Sequence, residues 1–266
     1  MVSATPRVWR IAAIAVVSAV VIYMLAPLAV VIATSFSASQ FLVFPPRGLS
    51  LRWYTEVLSS PAYLHAAWTS AWIAVIVTAL AVLVGTPAGV ALARHHVRGA
   101  TWWSALFLSP LVLPVVVLGI GLLSVFSKYF GGPSYFAIVI GHLVICLPYV
   151  IRTVGAVAVG IDRNAEEAAR LMGARWWERY LYVVLPQCRT GILAGGFLAF
   201  NISFDDAVVA LFLRAPGIET LPLLIYGRLE FSPDPSVAAV STLLVALTIL
   251  IVIALERWFG LGRLAH

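Results

Sequence analysis

The chain has 266 residues, of which 62% are hydrophobic and only 11% charged, with a mean hydropathy of +1.02. Soluble domains carry about 25% charged residues, so this composition excludes an ordinary soluble enzyme or binding domain and points to the bilayer. The net charge of +6 is then a matter of which side of a membrane holds it, not a nucleic-acid footprint.

Apolar runs that cross a hydrocarbon core need about 20 residues, and six such runs are present, at approximately 9–34, 65–93, 102–127, 135–158, 190–213 and 237–256. They are continuous and do not alternate, which argues against a β-barrel. The expected fold is all-α: one polytopic membrane domain over residues 1–266, core 9–256, with six transmembrane helices. The first run follows Arg7 and Arg10, and Ala33-Thr34-Ser35 could pass for a cleavage site. It exceeds the 7–15 residues of a signal-peptide core and is read as an uncleaved span.

Segment 35–64 carries Phe44-Pro45-Pro46, then Leu51-Arg52-Trp53-Tyr54 and Val57-Leu58. Apolar positions there recur at helical spacing, which predicts a short amphipathic helix on the membrane surface, ended by Pro61. The second run ends in a short basic turn, Arg94-His95-His96-Val97-Arg98-Gly99. In the third, Pro110 and Pro114 predict a kink, because proline frees backbone carbonyls; Pro148 in the fourth reads the same way. His142 and Cys146, four apart, suit bonding across helices better than a metal site. The fifth run opens with Gly191, Gly195 and Gly196, small residues that let helices approach closely in lipid. Cys146 and Cys188 are expected as free thiols.

The arginines divide unequally. With the N-terminus inside, the inner segments hold Arg7, Arg10, Arg94, Arg98, Arg152, Arg163, Arg170, Arg175, Arg179, Arg189, Arg257 and Arg263; the outer ones hold Arg47, Arg52, Lys128, Arg214 and Arg228. By the positive-inside rule, both termini and the segment 160–189 are cytoplasmic. No Walker loop, HExxH motif or nucleophile elbow is present. No catalytic residue, metal site or cofactor is therefore assigned to this chain, and an ATP-driven step would need a partner carrying ATP and magnesium.

The inner segment 160–189 can be built from local rules. Asn164 with Glu167 three residues on has the spacing of a capping box. A helix over 165–172 would end at Gly173, where left-handed geometry is cheap. A second short helix, about 174–183, would be stopped by Pro186. Ala168, Ala169 and Ala174 near the glycine turn leave room for a partner surface, and Glu167 either caps its own helix or pairs with a basic residue on that partner.

The spacing Glu167-Ala168-Ala169, three residues, Gly173 and later Leu185-Pro186 resembles the cytoplasmic EAA loop of permease subunits in binding-protein-dependent ABC importers. Further stretches, Leu51-Arg52-Trp53-Tyr54, Pro114 with Leu118-Gly119, Leu147-Pro148-Tyr149-Val150, Ser203-Phe204-Asp205-Asp206 and Thr220-Leu221-Pro222, resemble the C-type subunits of its spermidine/putrescine branch. Val183 and Ala238 depart from that pattern, where isoleucine and asparagine are usual. The resemblance implies the type I importer permease fold in a bacterial inner membrane. It also implies coupling through Glu167, Ala168, Ala169, Gly173 and Ala174 to two ATPase subunits, a second permease chain, an external substrate-binding protein, and no nucleic acid.

Asp205 and Asp206 lie in an apolar run, where a charge costs at least ~2.5 kcal/mol. With Asn201 and Ser203 they form a polar stripe that lipid would not accept. One reading is a cation-attracting wall of the translocation path, suited to a polyamine. The other is an ion pair with an arginine, or hydrogen bonding between helices. Rival functions are an ABC permease for ferric iron, thiamine or a phosphonate, and a stand-alone channel or secondary transporter.

Overall fold

The computed structural model describes residues 7–94 and 97–259. In chain order the helices are α1 (Arg7–Ser35), α2 (Arg52–Ser59), α3 (Pro61–Ala93), α4 (Ala100–Leu108), α5 (Val115–Tyr129), α6 (Tyr135–Val159), α7 (Arg163–Leu171), α8 (Trp176–Arg179), α9 (Leu185–Gln187), α10 (Arg189–Asp205), α11 (Val208–Leu213), α12 (Leu221–Phe231) and α13 (Ser236–Phe259). The fold is all-α, with one isolated bridge between Ser37 and Leu49 among the described residues. Among the described residues four helices are long and apolar enough to cross a membrane: α1, α3, α6 and α13. The count reaches six if each of two bent pairs is one span: α4 through Leu111 with α5, and Trp176–Gln187 with α10.

The third apolar run is therefore broken, not merely kinked, with a 101° bend. Pro110 sits in a short 3₁₀ turn, Ser109–Leu111, and Pro114 caps α5 with extended backbone (ψ 126°). Two prolines four residues apart remove two donors and disfavour helix at the residues before them.

The chain forms two compact units, the first made of residues up to Leu64 with Gly227–Trp258, the second of His65–Tyr226. In the first, α2 forms where the apolar spacing predicts it and buries Trp53 and Val57. The Trp53 indole donates to the Ser37 carbonyl at 3.0 Å, and the Tyr54 and Ser35 hydroxyls meet at 2.6 Å. Tyr63 and Ser236 share a buried hydroxyl contact at 2.7 Å.

In the second unit α6 is the central element. It packs against α10 on one side and α3 on another, and glycines set both approaches. A Cβ on Gly191 would lie 2.7 Å from the Thr153 carbonyl oxygen, and one on Gly195 would strike the Thr153 hydroxyl. On the α3 side, a Cβ on Gly89 would lie 2.8 Å from the Ile151 carbonyl oxygen. The close helix approach expected at Gly191 and Gly195 is thus present. Around it Ile73, Val77, Ile138, Val150, Val154, Val209 and Leu213 form the buried core.

Gly195→Leu is expected to lower stability by about 1–3 kcal/mol, the usual cost of overpacking. Gly121→Ala, whose new methyl group meets nothing within 4 Å, should be near neutral. Thermal melting of the two variants in detergent checks this. Equal melting temperatures would contradict the packing.

Candidate functional site

Two places in the second unit concentrate the polar side chains. The first is the segment 160–189. Helix α7 begins two residues earlier than the sequence suggests, at Arg163. Its N-cap is Asp162, whose carboxylate accepts the Asn164 N–H at 2.9 Å, and neither Asn164 nor Glu167 caps it. An aspartate with extended backbone just before the helix satisfies an orphan donor and displaces the expected Asn164–Glu167 box. Glu167 and Ala168 face outward, Ala169 is buried, and Ala174 is half-buried.

The glycine turn is as expected. Gly173 has φ 88°. Its N–H bonds the Arg170 carbonyl, and the Ala174 N–H bonds the Ala169 carbonyl, both at 3.0 Å. This is the Schellman closure that left-handed geometry permits. Among the described residues, its chain neighbours aside, no heavy atom lies within 4 Å of where a Gly173 Cβ would stand, so the outer face of the turn is open.

Pro186, in contrast, does not stop the second helix. The chain runs from α8 through a π-helical turn, Tyr180–Val184, into α9, which contains Pro186. A wider turn ahead of the ring accommodates the missing N–H and the bulk of proline. Helix α10 then leaves at 71° to Trp176–Gln187. Cys188 lies buried at this bend as a free thiol.

Glu166, which the sequence reading passed over, occupies the inner face of α7. It pairs with Arg94 just beyond the end of α3, and its other oxygen lies 3.7 Å from Arg179 of α8. Its position three residues before buried Ala169 was a usable signal, since such residues share a helix face.

The second place is the end of α10. The two acids are not inside a continuous helix: α10 ends at Asp205, Asp206 is extended (φ −71°, ψ 119°), and α11 begins at Val208. The Asp206 carboxylate accepts the Ala210 N–H at 3.1 Å, a local bond that competes with continued helix.

The expected polar stripe divides. Ser203 and Asp206 both turn to His142 of α6, which is fully buried: Nδ1 is 2.9 Å from the Ser203 hydroxyl, and Nε2 is 3.4 Å from the Asp206 carboxylate. The neighbour of Asp206 on α6 is thus His142, not the arginine that one of the readings offered, and the Ser203–His142 contact fits the reading of hydrogen bonding between helices. Cys146 donates to the Ala199 carbonyl at 3.4 Å, so His142 and Cys146 bond across helices as their spacing suggests. Among the described residues no group of His, Cys, Asp and Glu could hold a metal ion.

Asn201 is half-buried and donates to its own helix at the Phe197 carbonyl, 2.8 Å. Asp205 is exposed, and no hydrogen bond or ion pair to its carboxylate occurs among the described residues. Its charge stands at a helix C-terminus, which is itself negative. Two carboxylates and the last carbonyls of α10 therefore add to one local negative potential.

Comparison with known proteins gives these features a context. Residues 85–262 match the family described as binding-protein-dependent transport system inner membrane component. The chain is 32% identical over 237 residues to the spermidine/putrescine transport system permease protein PotC of Escherichia coli (strain K12), covering 89% of each. It is also 32% identical over 248 residues to the putrescine transport system permease protein PotI of that strain, covering 91% of this chain and 87% of PotI. In fold it is similar to a chain of a bacterial ABC transporter involved in the import of the acidic polysaccharide alginate. That match has a TM-score of 0.70 and 17% identity, over 97% of this chain and 99% of the other.

Permeases of this family are not catalytic and carry no cofactor; ATP is hydrolysed on a separate subunit of the transporter complex. A family match over residues 85–262 and relatives at 32% identity over most of the chain make this protein a member of the binding-protein-dependent inner membrane components, the multi-pass permease subunits of ABC importers.

Proposed function

We propose that this permease carries polyamines, spermidine or putrescine, from an external binding protein into the cytoplasm. The observation that carries the reading is the anionic end of α10, where exposed Asp205 and the adjoining Asp206 meet the helix C-terminus. Polyamines are polycations at neutral pH, and an uncompensated negative potential lowers the cost of moving one through an apolar wall. Two relatives, PotC of a spermidine/putrescine transport system and PotI of a putrescine transport system, agree with that chemistry. Asp205 and Asn201 are assigned to the path, and Ser203 and Asp206 to the wall that shapes it.

The rest of the machine follows from the same reading. The whole chain, 1–266, acts as one membrane domain with both termini and the segment 160–189 in the cytoplasm. Exposed Glu167, Ala168 and Gly173, with half-buried Ala174, face one of two ATPase subunits, and buried Ala169 supports that surface from within. A second permease chain completes the pathway, and membrane lipid covers the outer apolar faces. ATP binding favours one arrangement of the helices and release of the products the other, a population shift set by differential affinity.

Two measurements test this. Titrating spermidine, putrescine, ferric ion, thiamine and a phosphonate against the cognate binding protein identifies the delivered solute; preference for any but the polyamines would overturn the substrate. Orientation is read by an impermeant maleimide on Phe130→Cys and Met172→Cys, both at exposed positions. Native Cys146 and Cys188 are fully buried and should stay silent. Label applied from outside should reach position 130 and not 172, and the reverse would invert the topology.

A further inference from the structure

We propose that Glu166, with Arg94, forms the joint through which displacement of the inner segment reaches α3, a positioning role distinct from contact with the ATPase. The inference rests on the coupling role given above to the segment 160–189. Glu166 points about 100° around α7 from the exposed Glu167 and is the less exposed of the two.

Three elements converge on the one carboxylate. Arg94 is the residue after α3, and its N–H still bonds the Val90 carbonyl at 3.1 Å, so it moves with that helix. Its side chain is 5% exposed, against 24% for Glu166. Glu166 stands in the first turn of α7, where a negative charge is favoured by the helix dipole. Arg179 of α8 closes on the second oxygen at 3.7 Å.

One carboxylate therefore ties α7 and α8 to the inner end of a 33-residue helix. At 1.5 Å per residue that helix is about 50 Å long, enough to cross the bilayer. Its inner half is seated on α6 through Gly85 and Gly89. A push on the glycine turn thus has a mechanical route to α3 and on to α6.

The geometry also explains why the joint needs its charge. Arg94 Nη2 and Arg179 Nε are buried with no hydrogen-bond partner among the described residues. Glu166 is the acid that holds both guanidinium groups, and without it the buried Arg94 charge has nothing to hold it against α7. The attraction between the charges weakens with distance, so the contact couples the two elements only while they stay close.

The test uses the whole complex of permease chains, ATPase and binding protein. Glu166→Gln, Glu166→Asp and the double variant Arg94→Met with Glu166→Gln are compared with wild type. The double variant strands no buried guanidinium at position 94, so it separates loss of the joint from misfolding. Expected for the double variant are normal co-purification of the ATPase and normal basal ATP hydrolysis. Stimulation by the loaded binding protein, and uptake, should fall at least about tenfold, a change of ~1.4 kcal/mol in coupling. Glu166→Gln should lose no more than the double variant, because the pair acts as a unit, and Glu166→Asp should recover part of the stimulation.

Stimulation and uptake within about twofold of wild type in the assembled double variant, well inside that tenfold coupling loss, would overturn the proposal. Loss of ATPase co-purification in the double variant would overturn it too, since Glu166 would then belong to the docking surface. Glu167→Lys, run alongside, reports on docking separately: full retention of the ATPase in that variant would count against the docking assignment alone.

Discussion

Asp205→Asn is expected to leave the complex assembled and its melting temperature unchanged, while polyamine uptake falls about tenfold or more. Tenfold corresponds to ~1.4 kcal/mol of lost attraction, a modest share of what one charge a few ångströms away supplies at intermediate dielectric. Assembly should survive because Asp205 is exposed, bonds to no described side chain, and opposes the dipole of its own helix. Asparagine there is isosteric and easier to desolvate.

Asp206→Asn should behave differently. Its carboxylate holds both the Ala210 N–H and the neighbourhood of His142, and hydrogen bonds to charged groups contribute about 1.5–3 kcal/mol. A loss of stability in that range is expected, with an uptake defect that follows assembly. Measuring assembly, basal ATP hydrolysis and uptake together for each variant separates the two. Unchanged uptake by a well-assembled Asp205→Asn complex would remove Asp205 from the path. An Asp206→Asn variant as stable as wild type would remove the link to His142.

Gly173→Val should abolish stimulation of the ATPase by the loaded binding protein while the chain still inserts. Valine at φ 88° is strained by about 1–3 kcal/mol, and β-branching makes it a poor occupant of the left-handed region. Among the described residues a Cβ there has nothing within 4 Å beyond its chain neighbours, so a clash beyond that strain points to a partner pressed against the turn. Gly173→Ala, with a smaller side chain, should retain partial stimulation. Glu167→Lys reverses an exposed charge on the same face and should weaken ATPase retention. Wild-type retention and turnover in Gly173→Val and Glu167→Lys together would take the coupling role away from this surface.

Much of this was legible in local sequence. Helix α2 follows from its apolar spacing, and the closure at Gly173 from a residue that tolerates positive φ. The contacts at Gly191 and Gly195 follow from small residues in an apolar run. These features depend on a few neighbouring residues, which a sequence displays directly.

What was missed depends on contacts between distant residues or on how a helix resolves strain. Pro186 reads as a stop, yet a π turn carries the helix through it, and no residue type announces such a turn. Asp206 reads as part of a helix because its run is apolar. It leaves the helix where its carboxylate accepts the Ala210 N–H and comes within 3.4 Å of His142 on α6. Glu166 was overlooked beside Glu167 for the same reason. Its partner Arg94 is 72 residues away, and periodicity along α7 shows only which face is inward, not what waits there.

The most direct test of the account is uptake by proteoliposomes containing this permease, its partner permease and the ATPase, supplied with the cognate binding protein. The account predicts accumulation of labelled spermidine or putrescine that requires both ATP and the binding protein, and that is lost with Gly173→Val. Uptake by the permease without ATP, or ATP-driven uptake of a different solute with none of either polyamine, would contradict it.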